Sequence, residues 1–235
     1  MSSLFDFKLV IEYFPQILSR LHITLIIVIT ATLFGVIFGA LIALVRINKL
    51  LILSQIAGVF VSFIRGTPII VQLFIVFYGL PMLLLKIGIN VVRWDEFYFV
   101  IITYALNASA FLSEIIRGAV KGVDTGQSEA AYSVGLTKFQ TFYRIAAPQA
   151  FATALPSFSA STVNLLQNTS LGFTIGVIDI IGKVKAIGVR TYHTIEGYIG
   201  AAVIFVILSL LLQRLFNILE TKVNFYQKQG RRQEG

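Results

Sequence analysis

The chain has 235 residues, of which 57% are hydrophobic and 13% charged, with a formal net charge of +8 and a mean hydropathy of +0.85. A soluble domain carries about 25% charged residues, so this chain lacks the surface polarity of a soluble globule or a cytoplasmic two-layer enzyme. It has no cysteine, which excludes disulfides and thiol chemistry, and its two histidines, His22 and His193, have no metal-ligand spacing.

In chain order, the segment before Arg20 carries Asp6, Lys8, Glu12 and Pro15 and does not read as a signal peptide. Ile23 to Val45 is uncharged. At about 1.5 Å per residue it reaches about 34 Å, enough for a hydrocarbon layer of about 30 Å. A first span is therefore expected at about 22–46. A second apolar region, about 50–86, is interrupted by Arg65-Gly66-Thr67-Pro68 and reads as one kinked or broken span, because Pro68 must interrupt the hydrogen-bond ladder. Arg65 is expected to hold that break in shape.

A third span, about 97–120, contains Asn107, Ser113 and Glu114. A fourth, about 148–172, is laced with Pro156, Asn164, Gln167 and Asn168 and so should face protein or a cavity. A fifth covers about 196–217. The expected fold is an all-α integral membrane domain, 1–235, with about five transmembrane helices.

Basic residues set the orientation of such a bundle. With five spans, one side holds Arg46, Lys49, Arg117, Lys121, Lys138, Arg144, Arg214, Lys222, Lys228, Arg231 and Arg232. The other holds Lys8, Arg20, Lys86, Arg93, Lys183, Lys185 and Arg190. The excess places the N-terminus outside and the C-terminus in the cytoplasm.

The loop 121–147 between the third and fourth spans then lies inside and has its own pattern. Thr125 reads as the cap of a short helix holding Glu129, Ala130, Ala131 and Tyr132, and Gly135 as its left-handed terminator. Thr137-x-x-Gln140 is a capping-box signature for a second helix, and Pro148 fits the first turn of the next element. A DNA-binding helix-turn-helix is disfavoured, since the second helix offers only Lys138 and Arg144 and both ends are tethered to spans.

Glu129-Ala130-Ala131, followed at fixed spacing by Gly135, Ile145 and Pro148, resembles the EAA loop of ABC importer permeases. Arg65-Gly66-Thr67-Pro68 with Gln72, Ser113-Glu114 through Arg117-Gly118, Gly126-Gln127, Pro148-Gln149-Ala150 and Thr169-Ser170-Leu171 are similar to the polar amino acid branch of that family. The branch often carries Lys-Asp where this chain has Gln167-Asn168. The resemblance implies a permease subunit of the bacterial inner membrane whose 121–147 hairpin docks on a separate ATPase. Glu129, Ala130, Ala131, Gly135, Ile145 and Pro148 would be the coupling residues. It further implies a second permease chain, identical or related, an extracytoplasmic solute-binding protein and an amino acid as cargo, with no nucleic acid partner.

The chain has no Walker A sequence; its nearest string, Gly176 to Val184, has the wrong spacing and no Ser or Thr after Lys183. It is therefore not expected to be an enzyme, and ATP and magnesium belong on the partner ATPase, with no cofactor or metal on this chain.

Polar groups inside a membrane are costly and mark cavities or partners. Asn107, Glu114, Asn164, Gln167 and Asn168 are candidates for the solute path, because amides both donate to a carboxylate and accept from an ammonium. For each, helix–helix hydrogen bonding competes, and Glu114 can instead pair with Arg117 or Arg65. Thr169, Ser170 and Leu171, before Gly172 and Gly176, are candidates for a gate. Ala31, Gly35, Gly39 and Ala43 form a small-residue stripe that fits either a second permease chain or another span of this one.

Three rivals differ in what they require. A permease for another small solute shares every feature above except the cargo. An ATP-independent secondary transporter needs inverted repeats, into which five spans do not divide. A membrane enzyme needs convergent acids or histidines, whereas Asp95-Glu96 beside Trp94 reads as an interfacial turn.

Overall fold

A computed structural model describes residues 5–233, with side chains to Val223. The described residues form helices without strands. Helix α1 is Phe7–Leu18, α2 Leu21–Ile47 and α3 Leu51–Gly66; α4, Ile69–Phe74, runs through a π-type turn, Ile75–Gly79, into α5, Leu80–Lys86. Helix α6 is Glu96–Lys121 and α7 Thr125–Ser133; α8, Lys138–Thr141, runs through a second π-type turn, Phe142–Ala146, into α9, Ala147–Asn168. A 3₁₀ segment, Thr169–Ile175, precedes α10, Ile180–Thr191, and α11, Thr194–Gln233.

Among the described residues, four stretches are long and apolar enough to cross a membrane: Leu21–Ile47, Ile69–Lys86, Glu96–Lys121 and Thr194–Val223. Helix α9 is long enough but more polar, in keeping with its row of amides. The expected broken span at 50–86 is divided into α3 and α4–α5. Thr67 and Pro68 are both extended between them, with ψ of 144° and 139°.

The main core lies where α2, α4, α6 and α9 converge on Ile27, Ala31, Leu73, Tyr104, Ala108 and Leu165. Its tightest contact is α2 on α6. A Cβ at Gly35 would lie 2.5 Å from the Ala108 Cβ, and one at Gly39 3.0 Å from the Ser109 carbonyl oxygen. The small-residue stripe therefore seats α6 of the same chain, so it supplies no face for a second permease chain. Glycine is required there because the backbones approach closer than a methyl group allows.

A second core joins α11, the expected fifth span, to two elements absent from the sequence reading, α1 and α10. Tyr13 and Ile17 of α1, Ile180, Val184 and Ile187 of α10, and Ala201 and Ile204 of α11 pack together. Buried Glu196 pins this unit: its Oε1 accepts from the Asp6 amide at 3.0 Å and lies 3.0 Å from His193 Nδ1.

The hairpin 121–147 departs from expectation at one point. Helix α7 is capped by Asp124, whose Oδ1 accepts from the Gly126 amide at 3.0 Å, and Thr125 is its first helical residue. The stronger carboxylate acceptor sits in the non-helical position, so the helix starts after it. Pro148 lies in the first turn of α9, as expected, and the π-type turn just before it joins α8 to α9 without a break.

Candidate functional site

The break before α4 leaves carbonyl groups without helical donors, and in a membrane each must find one. Gln72 supplies it. Its Nε2 donates to the Ile64 carbonyl at 2.7 Å, the Thr67 carbonyl at 3.0 Å and Thr67 Oγ1 at 2.9 Å. Its Oε1 accepts from Asn107 Nδ2 at 3.0 Å. A buried glutamine thus closes the break and carries it to α6. Arg65, just before the break, directs its guanidinium over the Phe111 ring, 5.6 Å from the centroid, and towards Glu114.

Glu114 is the hub of an ion cluster at the Lys121 end of α6. Its Oε1 accepts from Arg46 of α2 and from Arg117 Nε at 3.2 Å. Its Oε2 accepts from an Arg117 terminal nitrogen at 2.6 Å and lies 3.8 Å from Arg65. Both carboxylate oxygens are occupied by cations on three helices. The pairing with Arg117 and Arg65 was one of the two roles open to it; Arg46 is an addition.

At the other end of α9, Asn168 Nδ2 donates to Asn164 Oδ1 at 2.7 Å, one turn back, and the Asn168 carbonyl accepts from the Tyr104 hydroxyl at 2.6 Å. Asn164 and Gln167 are exposed on the chain's surface. Thr169, Ser170 and Leu171 open the 3₁₀ segment, which stops at Gly176 with φ of 108°. Below it, Asp179 is fully buried. Its Oδ1 accepts from the Gly182 amide at 2.8 Å and caps α10, while burial pushes its carboxyl up to about 6, against the pull of the Gly182 and Ile181 amides.

In the hairpin, Gly135 is left-handed with φ of 84°. Thr137 and Gln140 form the reciprocal capping box, Gln140 Oε1 accepting from the Thr137 amide at 2.9 Å. Ala130, Ala131 and Ile145 come together with Asp124, Gln127 and Val134 around a surface depression of about 460 Å³. Glu129 is exposed on α7, and Gln149 Nε2 donates to Gln127 Oε1 at 2.6 Å, fixing α7 to the start of α9.

Residues 35–225 match the model of the family described as binding-protein-dependent transport system inner membrane components. The chain belongs to this family. It is similar over most of its length to the L-cystine transport system permease protein of Bacillus subtilis, with 41% identity covering 95% of this chain and 93% of that one. It is 34% identical to the nopaline transport system permease protein of Agrobacterium fabrum, covering 93% and 92%. Among solved structures, the crystal structure of an amino acid ABC transporter with histidines matches with a TM-score of 0.82 and 31% identity, covering 93% of this chain and 99% of that one.

The permease thus separates its candidate residues into three places. Asn107 and Glu114 belong to hydrogen-bonded and ion-paired frames, Asn164, Gln167 and Asn168 to the outgoing end of α9, and Ala130, Ala131 and Ile145 to the hairpin depression. Three site-forming residues escaped the sequence reading in part or whole. In the sequence Gln72 stands only within a motif and Arg46 only among the basic residues of one side, and Asp179 carries no such mark. The Asp-x-x-Gly spacing ahead of Ile180, Val184 and Ile187 was the signal available for the last.

Proposed function

We propose that this permease moves polar amino acids inward, driven by ATP hydrolysis on a separate subunit, and that L-cystine is the first solute to test. The observation that carries the proposal is similarity to an L-cystine permease along nearly the entire chain, with the helical hairpin intact. In this reading the chain is one transmembrane unit with its N-terminus outside and its C-terminus in the cytoplasm. The depression at Ala130, Ala131 and Ile145, with Glu129 beside it and Gly135 and Pro148 setting its ends, receives the ATPase. Closing and reopening of the ATPases pulls on α7, and the continuous α8–α9 helix carries the displacement to Asn164, Gln167 and Asn168.

These amides line the passage, with Asn107 and Glu114 holding its frame. An uncharged amide pair suits a zwitterion, since amide oxygens accept from ammonium groups and amide nitrogens donate to carboxylates. Thr169, Ser170 and Leu171 form the gate, hinged at Gly176. A second permease chain completes the passage, and a solute-binding protein delivers cargo on the side of α10. ATP and magnesium are held by the ATPase.

The test is reconstitution in proteoliposomes with the ATPase and binding protein, following ATP hydrolysis against the twenty amino acids and cystine. Stimulation by cystine or by another narrow set of polar amino acids is the expected result. An active, bound ATPase that answers to none of them would remove the amino acid assignment.

A further inference from the structure

The Glu114 cluster brings three guanidiniums to one carboxylate, which leaves a formal excess of two positive charges. The side chains of Arg46 and Arg117 are only 22% and 25% exposed, so water screens that excess poorly. Arg65 is the least committed of the three. It makes no hydrogen bond among the described residues, stands 3.8 Å from Glu114 and is 48% exposed. Each guanidinium carries five N–H donors, and a single carboxylate cannot satisfy fifteen. Partly buried positive charge without an acceptor is costly, so this corner is built for an anion.

Next to it runs an apolar groove of about 440 Å³ between α2, α3 and α6, lined by Phe38, Ile42, Val45, Ile56, Phe60 and Leu106 among others. Groove and cluster are formed by the same three helices. Val45, in the groove, precedes Arg46, and the groove residues Ile42 and Phe60 pack against the buried group of Val61, Ile64 and Ala110, in which Ile64 precedes Arg65. An apolar groove beside a guanidinium that makes no hydrogen bond among the described residues has the polarity of one lipid leaflet: chain, then phosphate.

We infer that the crevice between α2, α3 and α6 binds an anionic phospholipid, its phosphate on Arg65 and Arg46 and an acyl chain in the groove. A second copy of this chain docked through the same face would bring its own guanidinium cluster and add to the excess. A lipid phosphate cancels it. The site rests on the chain being a membrane subunit, and on neither its cargo nor its ATPase.

The test uses the full chain purified in neutral detergent and followed by thermal unfolding while dioleoyl phosphatidylglycerol, dioleoyl phosphatidylcholine or inorganic phosphate is added. Phosphatidylglycerol should stabilise the wild type at concentrations at least tenfold lower than phosphatidylcholine, and inorganic phosphate should not substitute for it. Arg65→Gln should lose that tenfold preference, Arg65→Lys should keep most of it, and Lys121→Gln, an exposed charge on the same end of α6, should behave as wild type. Should Arg65→Gln not fold, the lipid comparison on wild type and Arg65→Lys decides alone. Equal loss in Arg65→Gln and Lys121→Gln would overturn the site in favour of general surface charge. Equal action of inorganic phosphate would reduce it to an anion site, and no lipid preference in folded wild type would mean that protein covers the groove.

Discussion

Asn107 donates its side-chain amide to Gln72 across 3.0 Å, joining the middle of α6 to the start of α4. Gln72 spends its own amide nitrogen on three oxygens of the broken segment. The pair converts a helix break, which the bilayer would not tolerate bare, into a fixed joint.

Replacing Gln72 by Leu removes the donor for two carbonyls and strands the Asn107 amide. Each unsatisfied buried group costs about 1–3 kcal/mol, so Gln72→Leu should lower stability by several kcal/mol. Asn107→Leu should cost less, because Gln72 keeps its backbone partners. A double-mutant cycle by denaturant unfolding in detergent should give a coupling of about 1 kcal/mol or more. Additive effects would show that the 3.0 Å contact carries no energy.

The α2–α6 seam makes a reciprocal prediction. Gly35→Ala places a methyl 2.5 Å from the Ala108 methyl, and overpacking of this kind costs about 1–3 kcal/mol. Adding Ala108→Gly should recover most of the loss, because the space is returned on the opposite helix. Equal instability of the single and double variants would mean that the helices have shifted rather than met at this pair.

What was legible in the sequence was local. Gly135, Thr137 and Gln140 act within a few residues of one another, and their roles follow from backbone conformation alone. The break at Pro68 was equally visible, because proline acts on its own helix. Gln72 was not, since its partners are backbone carbonyls and an asparagine 35 positions along the chain. Glu114 had two arginine partners foreseen and a third, Arg46, 68 positions away. Nothing in the spacing selects it. The unit of α1, α10 and α11 was missed for another reason: α1 and α10 have 12 residues each, below the length that marks a span, although Ile180, Val184 and Ile187 share one helical face.

Glu114→Gln should weaken uptake of every substrate alike. The neutral amide leaves three guanidiniums facing one another, and breaking a paired, partly buried charge costs about 3–5 kcal/mol where the site is closed to water. At 17% exposure of the Glu114 side chain the effect should fall below that range. Uptake in proteoliposomes, normalised to folded protein, checks it; a change in preference between cationic and neutral amino acids would instead place Glu114 on the solute.

Asp179 should make stability fall as pH rises. Its carboxyl titrates at about 6 in the fold and at 3.8 when unperturbed. Between these values the folded chain holds the proton that the unfolded chain has released, so each step up in pH favours unfolding. The full cost, on the order of 3 kcal/mol, is present above about pH 6 and absent below about pH 4. Asp179→Asn keeps an oxygen for the Gly182 amide and loses the charge. It should match the wild type at pH 4 and exceed it at pH 8. A variant less stable than wild type at pH 8 would show that the ionised form is wanted.

Gly135 separates folding of the hairpin from its coupling role. Its φ is 84°, and a Cβ built there meets nothing within 4 Å, so substitution acts through the backbone and not through crowding. A β-branched residue held left-handed costs about 1–2 kcal/mol, whereas asparagine visits that region readily. Gly135→Val should therefore leave the chain in the membrane but shift the end of α7 and reduce ATPase co-purification severalfold, while Gly135→Asn should retain it. Loss in both variants would point to a direct need for bare backbone at the contact, and full retention in Gly135→Val would remove the hairpin from the coupling path.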